Sequence, residues 1–159
     1  HWADKLGSYF NVPAYDLDKL VERTAGKTIR EIFETDGEAA FRTLEAEHLR
    51  SGIPAEKFVL ACGGGAPCFY DNMAFMKAHG VVIWLNPPTE ELVSRLMRGI
   101  DHRPNLKGFN TPELLAQRLA ALMEVREDFY RQADITITHA LPDIAHLAEK
   151  IRSHADRRL

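Results

Sequence analysis

Phe58-Val59-Leu60-Ala61-Cys62-Gly63-Gly64-Gly65-Ala66-Pro67 is the stretch on which the fold turns. Its first four residues form a short apolar run with the size and content of a fully buried strand. Three glycines follow at once, and a helix is expected from about Asp71. With no Cβ in the way, such a backbone can come very close to another group. In open α/β sheets, ligands bind at the carboxyl ends of the strands. A plain tight turn would use the same glycines, so the triplet alone leaves both readings open.

Downstream, residues 71–79 read as a helix closed by Gly80. Val81-Val82-Ile83-Trp84-Leu85 reads as a strand ended by Asn86-Pro87-Pro88, and Thr89 as the cap of a helix running to about Met97. Residues 98–110 are polar, glycine-bearing and free of periodicity. A loop of that length in a compact domain is usually functional or mobile. Its cationic side chains suit a lid over phosphates, the alternative being an ordinary flexible insertion. Thr111-Pro112 opens a helix to about Tyr130, with Leu115, Leu119, Leu122, Arg126 and Phe129 close to one face. Arg126 stands near that apolar stripe, where an unpaired charge is costly, so an edge position or an anionic partner is expected. Ile135-Thr136-Ile137-Thr138 is a last strand, and residues 142–154 a closing amphipathic helix.

Upstream, residues 2–6 read as the tail of a helix, and Val12-Pro13-Ala14-Tyr15 as a short buried strand. Asp16-Leu17-Asp18 ends it, and two carboxylates one residue apart on a strand share a face. Asp18 as a simple helix cap is the competing reading. A short helix stops at Gly26. Gly26-Lys27-Thr28 is not the end of a phosphate-binding loop, because GxxxxGK[ST] would need glycine where Val21 stands. Thr28-Ile29-Arg30-Glu31 is a capping box instead. Beyond Asp36-Gly37 a second helix spans about residues 38–50, with Phe41, Leu44 and His48 or Leu49 on one stripe. Arg42 has Glu38 and Glu45 a turn away on either side. It is either a surface ion pair or a guanidinium aimed into a cleft to grip a carboxylate.

The 159 residues suit one domain with a single core. A net charge of −3 argues against nucleic acid or an anionic membrane as the main partner. No apolar run reaches the roughly 20 residues of a membrane span, and no secretion signal is visible. Cys62 and Cys68 do not form a CxxC pair, and are read as reduced thiols of a cytoplasmic protein. The seven histidines form no ligand cluster, which argues against a zinc site made by the protein. Strands alternating with helices predict an α/β fold with a parallel sheet and helices on both faces.

Taken in order, Asp16-Leu17-Asp18, Gly26 with Ile29-Arg30-Glu31-Ile32-Phe33, Gly37-Glu38, Phe41-Arg42 with Glu45, Gly63-Gly64-Gly65, Arg103-Pro104, and Arg126 with Tyr130 resemble the shikimate kinase family. The likeness runs from about residue 11 to 138, and Phe41-Arg42 with the glycine triplet carries most of its weight. It implies one domain over residues 1–159 with the nucleoside-monophosphate-kinase-like P-loop fold, a three-layer sandwich around a parallel sheet. Substrate-binding helices over about 18–50 and a lid over about 98–110 come with it. It implies transfer of the ATP γ-phosphoryl group to the 3-hydroxyl of shikimate, with Mg2+, by a cytoplasmic monomer.

The same likeness assigns roles. Asp18 would hold the substrate hydroxyls and act on the attacking one, and Asp16 would orient the magnesium through water. Arg42 and Arg126 would grip the shikimate carboxylate, helped by the backbone of Gly63, Gly64 and Gly65. Arg103 would close from the lid onto the γ-phosphate. Arg98 would lie near the adenine face, and Pro142 in the adenine loop. These parts suit phosphoryl transfer, which needs positioning and charge neutralisation more than covalent chemistry.

Three departures stand out. The family's first strand and GxxxxGK[ST] loop are not in the sequence, so the natural protein is expected to begin upstream of His1. Gly7-Ser8-Tyr9-Phe10 looks like a small insertion, and Asn105 stands where the family more often has an apolar residue. Two other readings compete: another small-molecule P-loop kinase acting on a hydroxylated acid, and a non-catalytic module that binds such an acid.

Overall fold

The computed structural model describes residues 2–98, 108–138 and 143–158, and these form two compact units. The first comprises residues 1–81 with 143–159, and the second residues 82–142. Each unit is built on one pair of parallel strands.

In the first unit, α1 (Trp2–Phe10) leads into β1 (Ala14–Asp16), and α2 (Leu17–Ala25) starts without a break. Then come α3 (Ile29–Thr35), α4 (Gly37–Ser51) and β2 (Val59–Ala61). A 3-10 turn (Ala66–Cys68) precedes α5 (Asn72–His79), and α8 (Ile144–Ala155) returns to the unit at the end of the chain. α1 continues four residues past Leu6, so Gly7-Ser8-Tyr9-Phe10 is helix. A Cβ at Gly7 would lie 2.9 Å from the Val12 carbonyl oxygen, so the turn into β1 packs directly on the helix there.

β1 and β2 pair in parallel, with Ala14 opposite Val59, Tyr15 opposite Leu60 and Asp16 opposite Ala61. Both strands therefore end at the same level. Leu17, Leu49 and Ala66 are buried together, with Leu60, Phe75 and Met76 against them. Val21, Ile32 and Phe41 form a second cluster that joins α2, α3 and α4. These residues lie on the inner stripes of their helices, which is what holds the three consecutive helices together.

Local signals set the helix ends. Gly26 closes α2 at φ 64°, a conformation that costs glycine nothing. The Thr28–Glu31 capping box forms: the Thr28 N–H donates to Glu31 at 2.7 Å and the Glu31 N–H donates to Thr28 Oγ1 at 3.2 Å. Thr28→Ala is expected to cost about 1 kcal/mol of stability, read as a lower urea midpoint at unchanged slope. A midpoint equal to that of the parent protein would mean that the cap is not formed.

The second unit contains β3 (Ile83–Leu85), α6 (Thr89–Met97), α7 (Pro112–Tyr130) and β4 (Ile135–Ile137). β3 and β4 pair in parallel from Ile83 opposite Ile135 to Leu85 opposite Ile137. The ladder is shorter than the apolar run suggests. The Val82 N–H donates to the Asp134 carboxylate at 2.9 Å, so a side chain takes the place of the next ladder bond. Val93 and Leu115 hold α6 to α7, with Leu96, Met97, Phe109, Ala116 and Leu119 around them. Thr89 is the first residue of α6 rather than its cap, and Pro88 holds the cap position without a side-chain bond. Among the described residues no helix is long and apolar enough to cross a membrane.

Candidate active site

The shared end of β1 and β2 brings two segments out side by side: Asp16-Leu17-Asp18 and Cys62-Gly63-Gly64-Gly65. Asp16 and Asp18 do not share a strand face, as the spacing alone suggests. β1 ends at Asp16, which caps α2 by accepting from the Lys19 N–H at 3.3 Å. Asp18 is in the first turn of α2. The exposed amides and the positive end of the helix dipole favour a carboxylate at both positions. The cap reading was therefore right in kind and wrong in residue.

The glycine triplet forms the floor between two charged groups. A Cβ built on Gly63 would lie 3.6 and 3.8 Å from the Asp18 carboxylate oxygens. A Cβ on Gly65 would lie 2.6 Å from Arg42 Nη2, 2.7 Å from Nη1 and 2.9 Å from Cζ. The carboxylate therefore faces one end of the triplet, and the guanidinium rests on the other end, where any side chain would have to displace it. The turn is stiffened from within. The Ala66 N–H donates to the Gly63 carbonyl at 3.1 Å, the Cys68 N–H to Gly65 at 2.9 Å, and the Cys68 thiol to Gly64 at 3.7 Å.

Arg42 forms the ion pairs its spacing allowed, to Glu38 and Glu45, but it does so buried rather than on the surface. It is 5% exposed. Nη1 donates to Glu45 at 2.9 Å, while Nη2 and Nε donate to one oxygen of Glu38 at 3.0 and 3.2 Å. Glu45 is buried with it, whereas the Glu38 side chain is 55% exposed. The Phe69 and Phe41 rings lie 4.2 and 5.0 Å from Cζ. Helix spacing announced the two glutamates. Nothing in the local pattern announced Phe69, which meets Arg42 from 27 residues away.

Cys62 lies among these groups as a free thiol. Part of the residue touches solvent, but the atoms crowded around it exclude enough water to push the thiol up to about 12. Glu45, Asp18 and Asp16 add to the rise, because a thiolate beside carboxylates is repelled. Because the residue is partly exposed, solvent screening discounts that rise, and at pH 8.5 alkylation of Cys62 is expected to run at least about tenfold slower than that of an unfolded peptide thiol. Mass spectrometry of the Cys62 peptide after timed iodoacetamide treatment reads this directly. Alkylation at the peptide's rate would mean that the thiol ionises freely.

No group of three or more His, Cys, Asp or Glu side chains fit to hold a metal occurs among the described residues. The carboxylate of Asp16 is exposed and only weakly engaged as a cap. That donor set suits an ion such as Mg2+, which keeps most of its waters and takes one or two carboxylates.

The remaining expected residues are on the second unit or outside the described residues. Arg98 is exposed at the end of α6, and Arg126 is half-buried on α7, as its place beside the apolar stripe required. Arg103, Pro142 and residues 99–107 of the expected lid lie outside the described residues.

Residues 2–155 match the sequence model of the shikimate kinase family. The chain is 44% identical over 123 residues to a shikimate kinase of Bacteroides thetaiotaomicron, covering 77% of this chain and 70% of the relative. It is 37% identical over 161 residues to a shikimate kinase of Symbiobacterium thermophilum, covering 98% and 88%. Among solved structures it resembles shikimate kinase from Acinetobacter baumannii in complex with shikimate, with a TM-score of 0.82 at 32% identity over 99% of this chain and 86% of the other. The structure of the Bacteroides thetaiotaomicron shikimate kinase gives 0.78 at 34% identity, over 99% and 90%. The α/β architecture with parallel strands is that of these P-loop kinases.

Proposed function

The chain belongs to the shikimate kinase family, and we propose that it transfers the γ-phosphoryl group of ATP to the 3-hydroxyl of shikimate. One observation carries the reading: Asp18 and Arg42 stand over opposite ends of the same glycine floor. A small acid with hydroxyls at one end and a carboxylate at the other needs such a pair.

The carboxylate of the substrate pairs with the Arg42 guanidinium on its Glu38 side, since the Glu45 side is buried. The half-exposed Glu38 side chain can swing away as the acid arrives, and Glu45 keeps the guanidinium in place. By the family likeness, Arg126 would be the second cation for the acid. The hydroxyl to be phosphorylated donates its hydrogen bond to Asp18. As its oxygen bonds to the γ-phosphorus, its proton passes to the Asp18 carboxylate, and the bond to the β-phosphate oxygen breaks with ADP as leaving group. By the family likeness, Arg103 would meet the charge on the transferring group, and Arg98 and Pro142 would serve the adenine. Magnesium, when bound, neutralises phosphate charge, and Asp16 would hold it through its waters.

The test is ADP release from ATP by the full protein with shikimate, with the product's phosphorylated position read by NMR. Shikimate-dependent ADP with a 3-phosphate product supports the reading. ADP released only with a different hydroxylated acid would move the substrate within the P-loop kinases. Shikimate binding without ADP would leave a binding module.

A further inference from the structure

Asn72 is fully buried, at 0% exposure, and the mechanism above does not use it. It is the first residue of α5. Its Nδ2 donates to the Ala66 carbonyl at 2.9 Å, and its Oδ1 accepts from Arg50 Nη1 at 2.7 Å. The chemistry fixes which end of the amide is which, because a carbonyl can only accept and a guanidinium can only donate. Arg50 is anchored in turn. It donates to the Ala46 carbonyl at 3.0 Å, pairs with Asp71, and lies over the Phe75 ring at 5.1 Å.

Ala66 follows Gly65 directly, and its own N–H closes the turn onto Gly63. One buried amide thus ties the end of the glycine floor to the last turns of α4. The same helix carries Arg42. Both halves of the acid-gripping end, guanidinium and glycine backbone, are therefore referenced to one rigid element. The tie matters because glycine backbone is otherwise loose, and because Gly65 must stay where a Cβ would lie only 2.6 Å from Arg42 Nη2.

We propose that Asn72 is a positioning residue that holds the Gly63–Gly65 backbone against Arg42, and so sets the depth of the carboxylate site. The proposal rests on the shikimate kinase reading for its ligand, but its geometry stands apart from it. Asn72→Asp keeps the size of the side chain and an acceptor toward Arg50. It puts an oxygen where the donor to Ala66 was. The Michaelis constant for shikimate is expected to rise about tenfold, with that for ATP and the turnover number near the parent values. Amide hydrogen exchange in the 63–66 segment is expected to quicken. Arg50→Met, at a half-exposed position, should give a smaller change in the same direction, and it decides the matter if Asn72→Asp does not fold.

An unchanged shikimate constant with unchanged exchange at 63–66 overturns the proposal. So does a parallel weakening of both substrates that follows the melting temperature, which would mark a merely structural role. If the parent protein releases no ADP with shikimate, the functional reading fails, and exchange at 63–66 alone then decides the role of Asn72.

Discussion

Asp18→Asn is expected to lower turnover by about 10²–10⁴-fold, the usual worth of a positioned general base. Shikimate and ATP should still bind, because the amide keeps the shape of the side chain and its first-turn position on α2. The loss belongs to the proton. An amide cannot take it from the attacking hydroxyl, while the glycine floor and Arg42, in the proposed site, would still hold the acid. Turnover measured by coupled ADP release, with affinities from calorimetry, separates the two effects. Turnover near the parent value would remove Asp18 from proton transfer. A lost shikimate affinity at normal turnover would make it a binding group only. Asp16→Asn should behave differently, raising the magnesium needed for half-maximal rate, because Asp16 caps the helix at the strand end and does not face the triplet at Gly63.

Arg42→Ala should do two things at once. Losing a charge-assisted contact to the acid should cost about 2 kcal/mol or more of shikimate binding, with ATP binding nearly intact. A surface pair would cost little stability, but here Glu45 is 1% exposed and would be left buried without its cation. Breaking such a pair from one side costs about 3–5 kcal/mol of stability. A second variant keeps the two effects apart. Replacing both partners, as Arg42→Met with Glu45→Leu, should restore most of the stability and none of the shikimate affinity. Urea unfolding and shikimate calorimetry on the two proteins are the measurements. Unchanged shikimate affinity in a folded Arg42 variant would end the clamp role.

The positions of the helices and strands were legible because their signals are local. Gly26 in the left-handed region, the Thr28–Glu31 box and the Thr111 cap each depend on residues within a turn. The glycine triplet stood out too, since three glycines after an apolar run need a reason, but the full burial expected of that run did not hold: Val59–Ala61 is half-buried and Phe58 is exposed. The boundary between β1 and α2 was less legible. Alternation and capping make competing demands on Asp16 and Asp18, and only the register of β1 on β2 shows that the strand stops first.

The sequence by itself determined the alternation of parallel strands and helices, the strand end that carries Asp16, Asp18 and the glycine triplet, and the charged types gathered there. It also showed that Arg42 has a glutamate on each side along its helix. Only the tertiary structure decided that Arg42 is buried, that Glu45 is buried with it while Glu38 is half in water, and that Phe69 covers the guanidinium. It alone placed Gly65 so close to Arg42 that a side chain there would displace the guanidinium, and Asn72 between Arg50 and Ala66. The physical reason is range. Caps, turns and helix faces are set within a few residues, where spacing is readable. Burial and close approach depend on which distant segment packs on top, and spacing along a chain does not carry that information.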